Sequence, residues 1–385
     1  MVWRKRTVKI LVLGFVVLVL LAFFTEILLR TSMGGESHIR NFYREPENSL
    51  DVALIGCSEV YAGYSAPLAY EEYGYTSYNL CCESAPASIY KSMMREIFSR
   101  QSPQVMVIEV NGYFYTEERM TNEGNLRRWL DNMKMGKNWY NTINELVPED
   151  ERMDYFFKLS KYHDNWKNGS YQLARLENKG NYYKGEVSLM KSFATRTTSS
   201  TVNLDMRENR GRLLTDIGEK YLKEDIKFLQ DKGMKNVLFV RMPHAFTLDA
   251  ESEAVMEKII TDGGYDFMNC DNKFEEIGLD STKDFYNAEH MNVYGNRKFT
   301  HFIGGYIMDN YKPETKHTEK VDSLWKDCVE YTERNFAFLE QRTSVKEDKP
   351  YFEFTDYDAA IKDVQERRAK RIALERAHPE NANRQ

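Results

Sequence analysis

One stretch near the N-terminus limits this chain more than any other. Ile10 to Leu29 is a run of twenty residues, apolar except for Thr25 and Glu26. As a helix it is about 30 Å long, the thickness of a bilayer's hydrocarbon core. Arg4, Lys5, Arg6 and Lys9 precede it and only Arg30 follows closely. That asymmetry predicts a cytoplasmic N-terminus and an extracytoplasmic remainder. Glu26 falls in the last turns of the span, where a carboxylate still reaches water. A cleaved signal peptide would carry a shorter apolar run ending in a small-residue site, which Thr31-Ser32-Met33-Gly34-Gly35 matches only loosely. The expectation is therefore a single-pass anchor in residues 1–30, followed by a polar stalk in 31–49.

Over the whole chain, 53 basic and 59 acidic residues leave a net charge of −6. That argues against nucleic acid as a partner, because phosphate binding needs a basic surface. Twenty-five Tyr and 21 Phe supply both core and glycan-stacking material. Cys57, Cys81, Cys82, Cys270 and Cys328 show no CxxC or zinc-ligand spacing. A disulfide from Cys81 or Cys82 to a distant cysteine is open, but a disulfide scaffold is not supported. With no Gly-rich phosphate loop and no metal-ligand cluster, no cofactor and no metal are expected.

Five strand candidates punctuate the chain: Leu50–Ile55, Tyr75–Leu80, Val105–Val110, Val237–Val240 and Tyr265–Met268. Between them lie stretches with helical spacing, such as Ile89, Met93, Met94 and Ile97, or Ile217, Tyr221, Leu222, Ile226 and Leu229. Strands alternating with helices predict an α/β domain over residues 50–312, a three-layer sandwich around a mainly parallel sheet. Residues 113–210 are too long for one crossover and rich in Tyr, Trp, Asn and Lys. They read as a mostly helical aromatic cap whose rings serve the core more than a ligand. Residues 313–385 read as a charged helical extension, its tail from Val364 solvated or disordered.

In open parallel sheets ligands bind beyond the carboxyl ends of the strands. Gly56-Cys57-Ser58-Glu59 follows the first run, Cys81-Cys82-Glu83-Ser84 the second, Asn111-Gly112 the third and Arg241-Met242-Pro243-His244 the fourth. Asp284 to Gly295, DFYNAEHMNVYG, stands near the end of the domain. A serine, an asparagine beside a glycine and two histidines thus converge on one rim. Cys57 could itself be a nucleophile, but neighbouring side chains diverge, so it reads as a buried packer beside a serine that faces the cleft.

These blocks resemble those of the SGNH/GDSL family of serine esterases and acyltransferases. GCSEVYAGYSAPLAYEEYG (Gly56 to Gly74) is similar to the first block, YNL and IEVNG sit where the second and third belong, and DFYNAEHMNVYGNRKFT (Asp284 to Thr300) resembles the last. The resemblance covers roughly residues 51–309 and is nearest to the membrane-anchored branch that accompanies membrane-bound O-acyltransferases, similar to teichoic-acid D-alanylation and alginate-acetylation proteins. It implies an SGNH/flavodoxin-like fold, with Ser58 as nucleophile and His290 as its base. The Ser58 N–H, the Asn111 side chain and the backbone N–H of Cys82 would be oxyanion donors, and Glu59 and His244 are candidate substrate contacts. It also implies an envelope polysaccharide or acylated polymer as substrate, or a docking role on an O-acyltransferase. The family's acid three residues before the histidine is Asn287 here. Asn287, Asp284 or a backbone carbonyl are the three ways to orient His290. The second block also lacks its usual glycine.

Overall fold

The computed structural model describes residues 2–29, 37–168, 183–184, 187–188, 213–244 and 247–344. The chain divides into two compact units. One comprises Met1–Met33, Asp150–Asn181 and Lys349–Gln385, the other Gly34–Glu149 and Tyr182–Asp348.

In the first unit a 27-residue helix, α1, runs from Val2 to Leu28. Its part from Arg6 to Leu28 is long and apolar enough to cross a membrane. Short helical turns at Arg152–Phe156, Leu159–Tyr162 and His163–Asn168 complete the described part of this unit.

The second unit is built on five parallel strands: β1 (Val52–Gly56), β2 (Ser77–Cys81), β3 (Val105–Glu109), β4 (Val237–Arg241) and β5 (Asp266–Asn269). Their order is β2-β1-β3-β4-β5. Every residue of the first four is buried, so the sheet is covered on both faces. The five strand candidates are these five strands. The first two start later than hydrophobicity alone suggests, because a polar bracket precedes them. Thr76 Oγ1 and N–H both donate to the Asp51 carboxylate, at 2.7 and 2.8 Å, and Asp51 N–H donates to Thr76 O at 3.0 Å. β1 and β3 are neighbours joined through β2, so the chain reverses its direction of travel across the sheet between them. Such a switch point opens a crevice at the carboxyl ends.

The aromatic segment expected as one cap is divided between the units. Up to Glu149 it forms helices Glu117–Thr121, Glu123–Leu130 and Lys137–Leu146. These pack beside helix Tyr90–Arg100, with Trp129 Nε1 donating to Ser92 Oγ at 2.9 Å and Trp139 Nε1 to Leu130 O at 3.0 Å. Both tryptophans are buried core residues rather than a ligand platform. Residues 150–168 belong to the unit containing α1. The rest of the expected cap lies outside the described residues, save 183–184 and 187–188. The C-terminal extension contains helix Glu319–Ser344, in which Trp325 packs tilted against the Tyr70 ring and Asp322 accepts from the Tyr70 hydroxyl at 2.8 Å. The tail from Val364 lies outside the described residues. All five cysteines are buried and none is joined in a disulfide, so the pairing left open for Cys81 or Cys82 is not formed.

Helix Asp216–Asp231 buries Asp225 under this sheet, where Tyr113 Oη donates to Oδ2 at 2.8 Å and Oδ1 meets no donor among the described residues. Burial pushes its carboxyl up to about 8, against the pull of the Tyr113 hydrogen bond and of Lys91. A group raised in this way contributes stability fully below the unfolded pKa and loses it as pH rises toward the folded value. Asp225→Asn keeps an acceptor for Tyr113 without the charge. Its melting temperature should therefore rise relative to wild type from pH 5 to pH 9, and a difference that is flat or falls with pH would refute a neutral Asp225.

Candidate functional site

The site starts from a glycine. Gly56 closes β1 with φ +151°, a conformation that residues with a Cβ rarely adopt. A Cβ there would lie 2.5 Å from Glu109 Cβ and 2.7 Å from Val60 Cγ2. Only glycine lets β1 end this close to β3, and the chain turns at once into the short helix Ser58–Gly63. Ser58 is thereby held half-buried at the carboxyl edge, at the switch point between β1 and β3.

The opposing wall is a hairpin of β6 (Phe285–Asn287) and β7 (His290–Met291), in which Asn287 pairs with His290. His290 Nε2 lies 2.7 Å from Ser58 Oγ, and His290 Nδ1 lies 2.9 Å from Asn287 Oδ1. The Tyr286 ring stacks on the imidazole, with centroids 5.4 Å apart. Asn287 Oδ1 also accepts the backbone N–H of Glu289 at 2.9 Å, an Asx turn. An N–H donor must face oxygen, so this bond fixes which end of the amide points at the ring. Nδ1 is then the protonated nitrogen, and Nε2 is left to accept from the serine hydroxyl. That is the tautomer a general base needs.

Asp284, one of the three groups considered for orienting His290, has a different task. Its carboxylate accepts from Asp280 N–H and Lys298 Nζ, both at 2.7 Å, and its carbonyl accepts from Asn292 N–H at 2.9 Å. Asn292 caps helix Val293–Tyr311 through Tyr294 and Gly295 N–H and donates to Lys283 O. A Cβ at Gly295 would collide with Asp284 O. Asp284, Asn292 and Gly295 therefore fasten the hairpin to the helix behind it. The spacing of the block records that clamp as much as the position of the histidine.

Asn111 does not present its amide to Ser58 as expected. Its Oδ1 accepts from Arg241 Nη1 at 2.8 Å, which fixes the amide orientation, and its Nδ2 donates to Glu59 Oε1 at 2.6 Å. Glu59 Oε1 also accepts from His244 Nε2 at 2.9 Å, while Glu59 Oε2 lies 3.5 Å from Ser58 Oγ. Arg241 Nε donates to Asp271 Oδ2 at 3.1 Å, and Asp271 Oδ1 accepts His244 N–H at 2.8 Å. Glu59, Asn111, Arg241, Asp271 and His244 thus form a closed ring, each buried. Glu59 and His244, expected at the substrate surface, are members of this ring. Cys82 N–H, the other expected oxyanion donor, points at Gly56 O at 3.4 Å and extends the β1–β2 ladder. With no glycine in that loop, Ser84 takes the left-handed turn position, at φ +50°.

Two carboxyls share this interior, and they divide the charge. Burial would raise Glu59, but the hydrogen bond and charge of His244, aided by His290, hold it well below the usual range. Burial and the neighbouring Glu59 charge push Glu109 up to about 8 despite Arg241. Glu59 is therefore the ion and Glu109 the neutral acid. Glu109 accepts from Asn111 N–H at 2.6 Å and from Cys57 Sγ at 3.1 Å. Burial, with Glu109 and Glu59 close by, raises the Cys57 thiol well above its ordinary value. Cys57 is thus a poor nucleophile, as its packing role implies. Cys57, Glu59 and Glu109 offer three ligand atoms within 4.8 Å of one another.

Sequence reasoning missed Arg241 and Asp271 as site residues, and it missed the Glu109 acid. In sequence Arg241 stands only as part of a loop, and the carboxyl-end reading stops at the fourth strand. The same carboxyl-end rule carried one strand further reaches Asp271. No protein-family model matches the chain, and no curated protein matches it.

Asn111→Ala would leave the Glu59 carboxylate and the Arg241 guanidinium each short of a buried partner. At about 1–3 kcal/mol per stranded group, the variant should lose roughly 3 kcal/mol of folding stability or more, read from denaturant unfolding. A loss below about 1 kcal/mol would show that Asn111 does not hold the ring together.

Proposed function

We propose that this chain is a membrane-anchored, extracytoplasmic serine esterase or O-acyltransferase of the SGNH type. It would act on an envelope glycan or acylated polymer through an acyl-Ser58 intermediate. The observation that carries this reading is the relay Ser58–His290–Asn287, closed at 2.7 and 2.9 Å between segments 232 residues apart. The proposed step is an attack of Ser58 Oγ on the acyl carbonyl carbon as His290 Nε2 takes the hydroxyl proton. Collapse breaks the bond to the leaving oxygen, which receives that proton from Nε2. A water or an acceptor hydroxyl then repeats the sequence in reverse and frees Ser58. Asn287 holds the imidazolium through its Nδ1–H throughout. The assignment to SGNH proteins is supported by G-C-S-E after β1, N-G after β3 and the histidine block meeting at one carboxyl edge. The orientation, with the N-terminus in the cytoplasm, is supported by Arg4, Lys5, Arg6 and Lys9 before the span.

A second reading is favoured by one observation. The Asn111 amide, which should serve an oxyanion, is held by Glu59, and that carboxylate stands 3.5 Å from Ser58 Oγ. A non-catalytic SGNH-like protein that binds glycan, or docks on a membrane-bound O-acyltransferase, could keep such an arrangement without loss.

A fluorophosphonate probe separates the two. A membrane-impermeant form should label Ser58 in intact cells, found by peptide mapping, and Ser58→Ala and His290→Ala should abolish labelling. Asn287→Ala should slow it about tenfold or more by releasing Nδ1. Labelling confined to lysed cells would overturn the orientation. Absence of labelling in the folded protein would leave the second reading.

A further inference from the structure

We infer that the segment Arg152–Asn168 lies in the membrane interface and contacts phospholipid directly. This rests on reading Arg6–Leu28 as a membrane span. The starting observation is a cap. The last carbonyls of a helix have no partner within it, and at the edge of hydrocarbon they cannot be left bare. Leu28 O receives the side-chain amide of Asn165 at 2.7 Å. The turns at Leu159–Tyr162 and His163–Asn168 both pack on α1.

Exposure along α1 shows where they pack. Leu18, Phe23 and Phe24 remain 66%, 56% and 46% exposed, whereas Leu28 and Leu29 are buried. The segment therefore covers the end of the span rather than its flank, at the depth where hydrocarbon gives way to headgroups.

The outer surface of the segment suits that depth. Met153 and Phe157, four residues apart on one helical face, are 67% and 46% exposed, and Trp166, next to the capping Asn165, is 66% exposed. Tyr155, on the inner side, is buried. Arg152, Lys158, Lys161 and Lys167 outnumber Asp154 and Asp164 along the same stretch. Exposed large apolar side chains among basic residues are costly in water and favourable at a headgroup boundary, where indole and lysine stems lie half in apolar surroundings. The occupant is the same bilayer that α1 crosses, already adjacent through Leu28.

The test uses the full chain in phospholipid nanodiscs, with Trp3→Phe as background. Lipids brominated near the head of the acyl chain quench tryptophans that touch them. Trp166 emission, taken as the difference from Trp166→Phe, should be quenched. Leu18→Trp should be quenched by lipids brominated deep in the chain. Quenching at residue 18 with unchanged Trp166 emission would overturn the inference while leaving the span intact. Quenching at neither position would remove the span and the inference together.

Discussion

The side-chain oxygen of Asn287 is the point on which the candidate site turns. It accepts two N–H groups, one from Glu289 and one from His290 Nδ1. The first bond is structural and belongs to a tight turn, and the second is the one with chemical consequence. Because the first fixes the amide, the second can only run from ring to oxygen. A free asparagine could turn its NH₂ toward the ring and hold the opposite tautomer. This one cannot do so without breaking a backbone hydrogen bond, a cost of about 1 kcal/mol or more. The clamp of Asp284, Asn292 and Gly295 then holds the hairpin so that Nε2 meets Ser58 Oγ.

Beneath that surface lies a second constraint, the ring of Glu59, Asn111, Arg241, Asp271 and His244. Burying such groups is tolerable only when each polar atom finds a partner, since an isolated buried charge costs several kcal/mol. The ring joins the carboxyl ends of β3, β4 and β5 to the first turn after β1. It therefore ties the position of the serine helix to the far side of the sheet. Glu109 completes the arrangement by staying neutral and accepting from Asn111 N–H, so that one carboxylate rather than two faces the Asn111 amide.

The first, third and fourth strands were readable because burial on both faces writes a mainly apolar run, and the two more polar candidates became strands as well. Ser58 was readable for a related reason, since strand ends in a parallel sheet share one edge, whereas His290 stood out through the resemblance of the Asp284 to Thr300 block. What sequence did not disclose was the direction in which polar side chains point once there. Asn111 stands where expected, but its amide is set by Arg241, 130 residues away. Asp284 and Asn287 are equally plausible partners for the histidine on paper. Only the two-residue turn between β6 and β7, and Lys298 one helical turn beyond Gly295, assign one to the ring and the other to the clamp. Such choices depend on long-range donors, which leave no local pattern.

The neutral side chain at position 287 also weighs differently once burial is known. Asn287 is exposed. A unit charge 4 Å from an imidazolium is worth about 1 kcal/mol in water and about 4 kcal/mol where the effective dielectric is near 20. An aspartate at 287 would act nearer the first limit. Glu59 is 3% exposed and next to Ser58, and after His244 the charge of His290 is among the causes that lower its carboxyl. The carboxylate near the imidazole thus lies on its interior side. The same position sets that carboxylate against any oxyanion formed at Ser58. In the proposed reaction this carboxylate would oppose the tetrahedral intermediate unless Glu59 is drawn further toward His244, which is hydrogen-bonded to it at 2.9 Å.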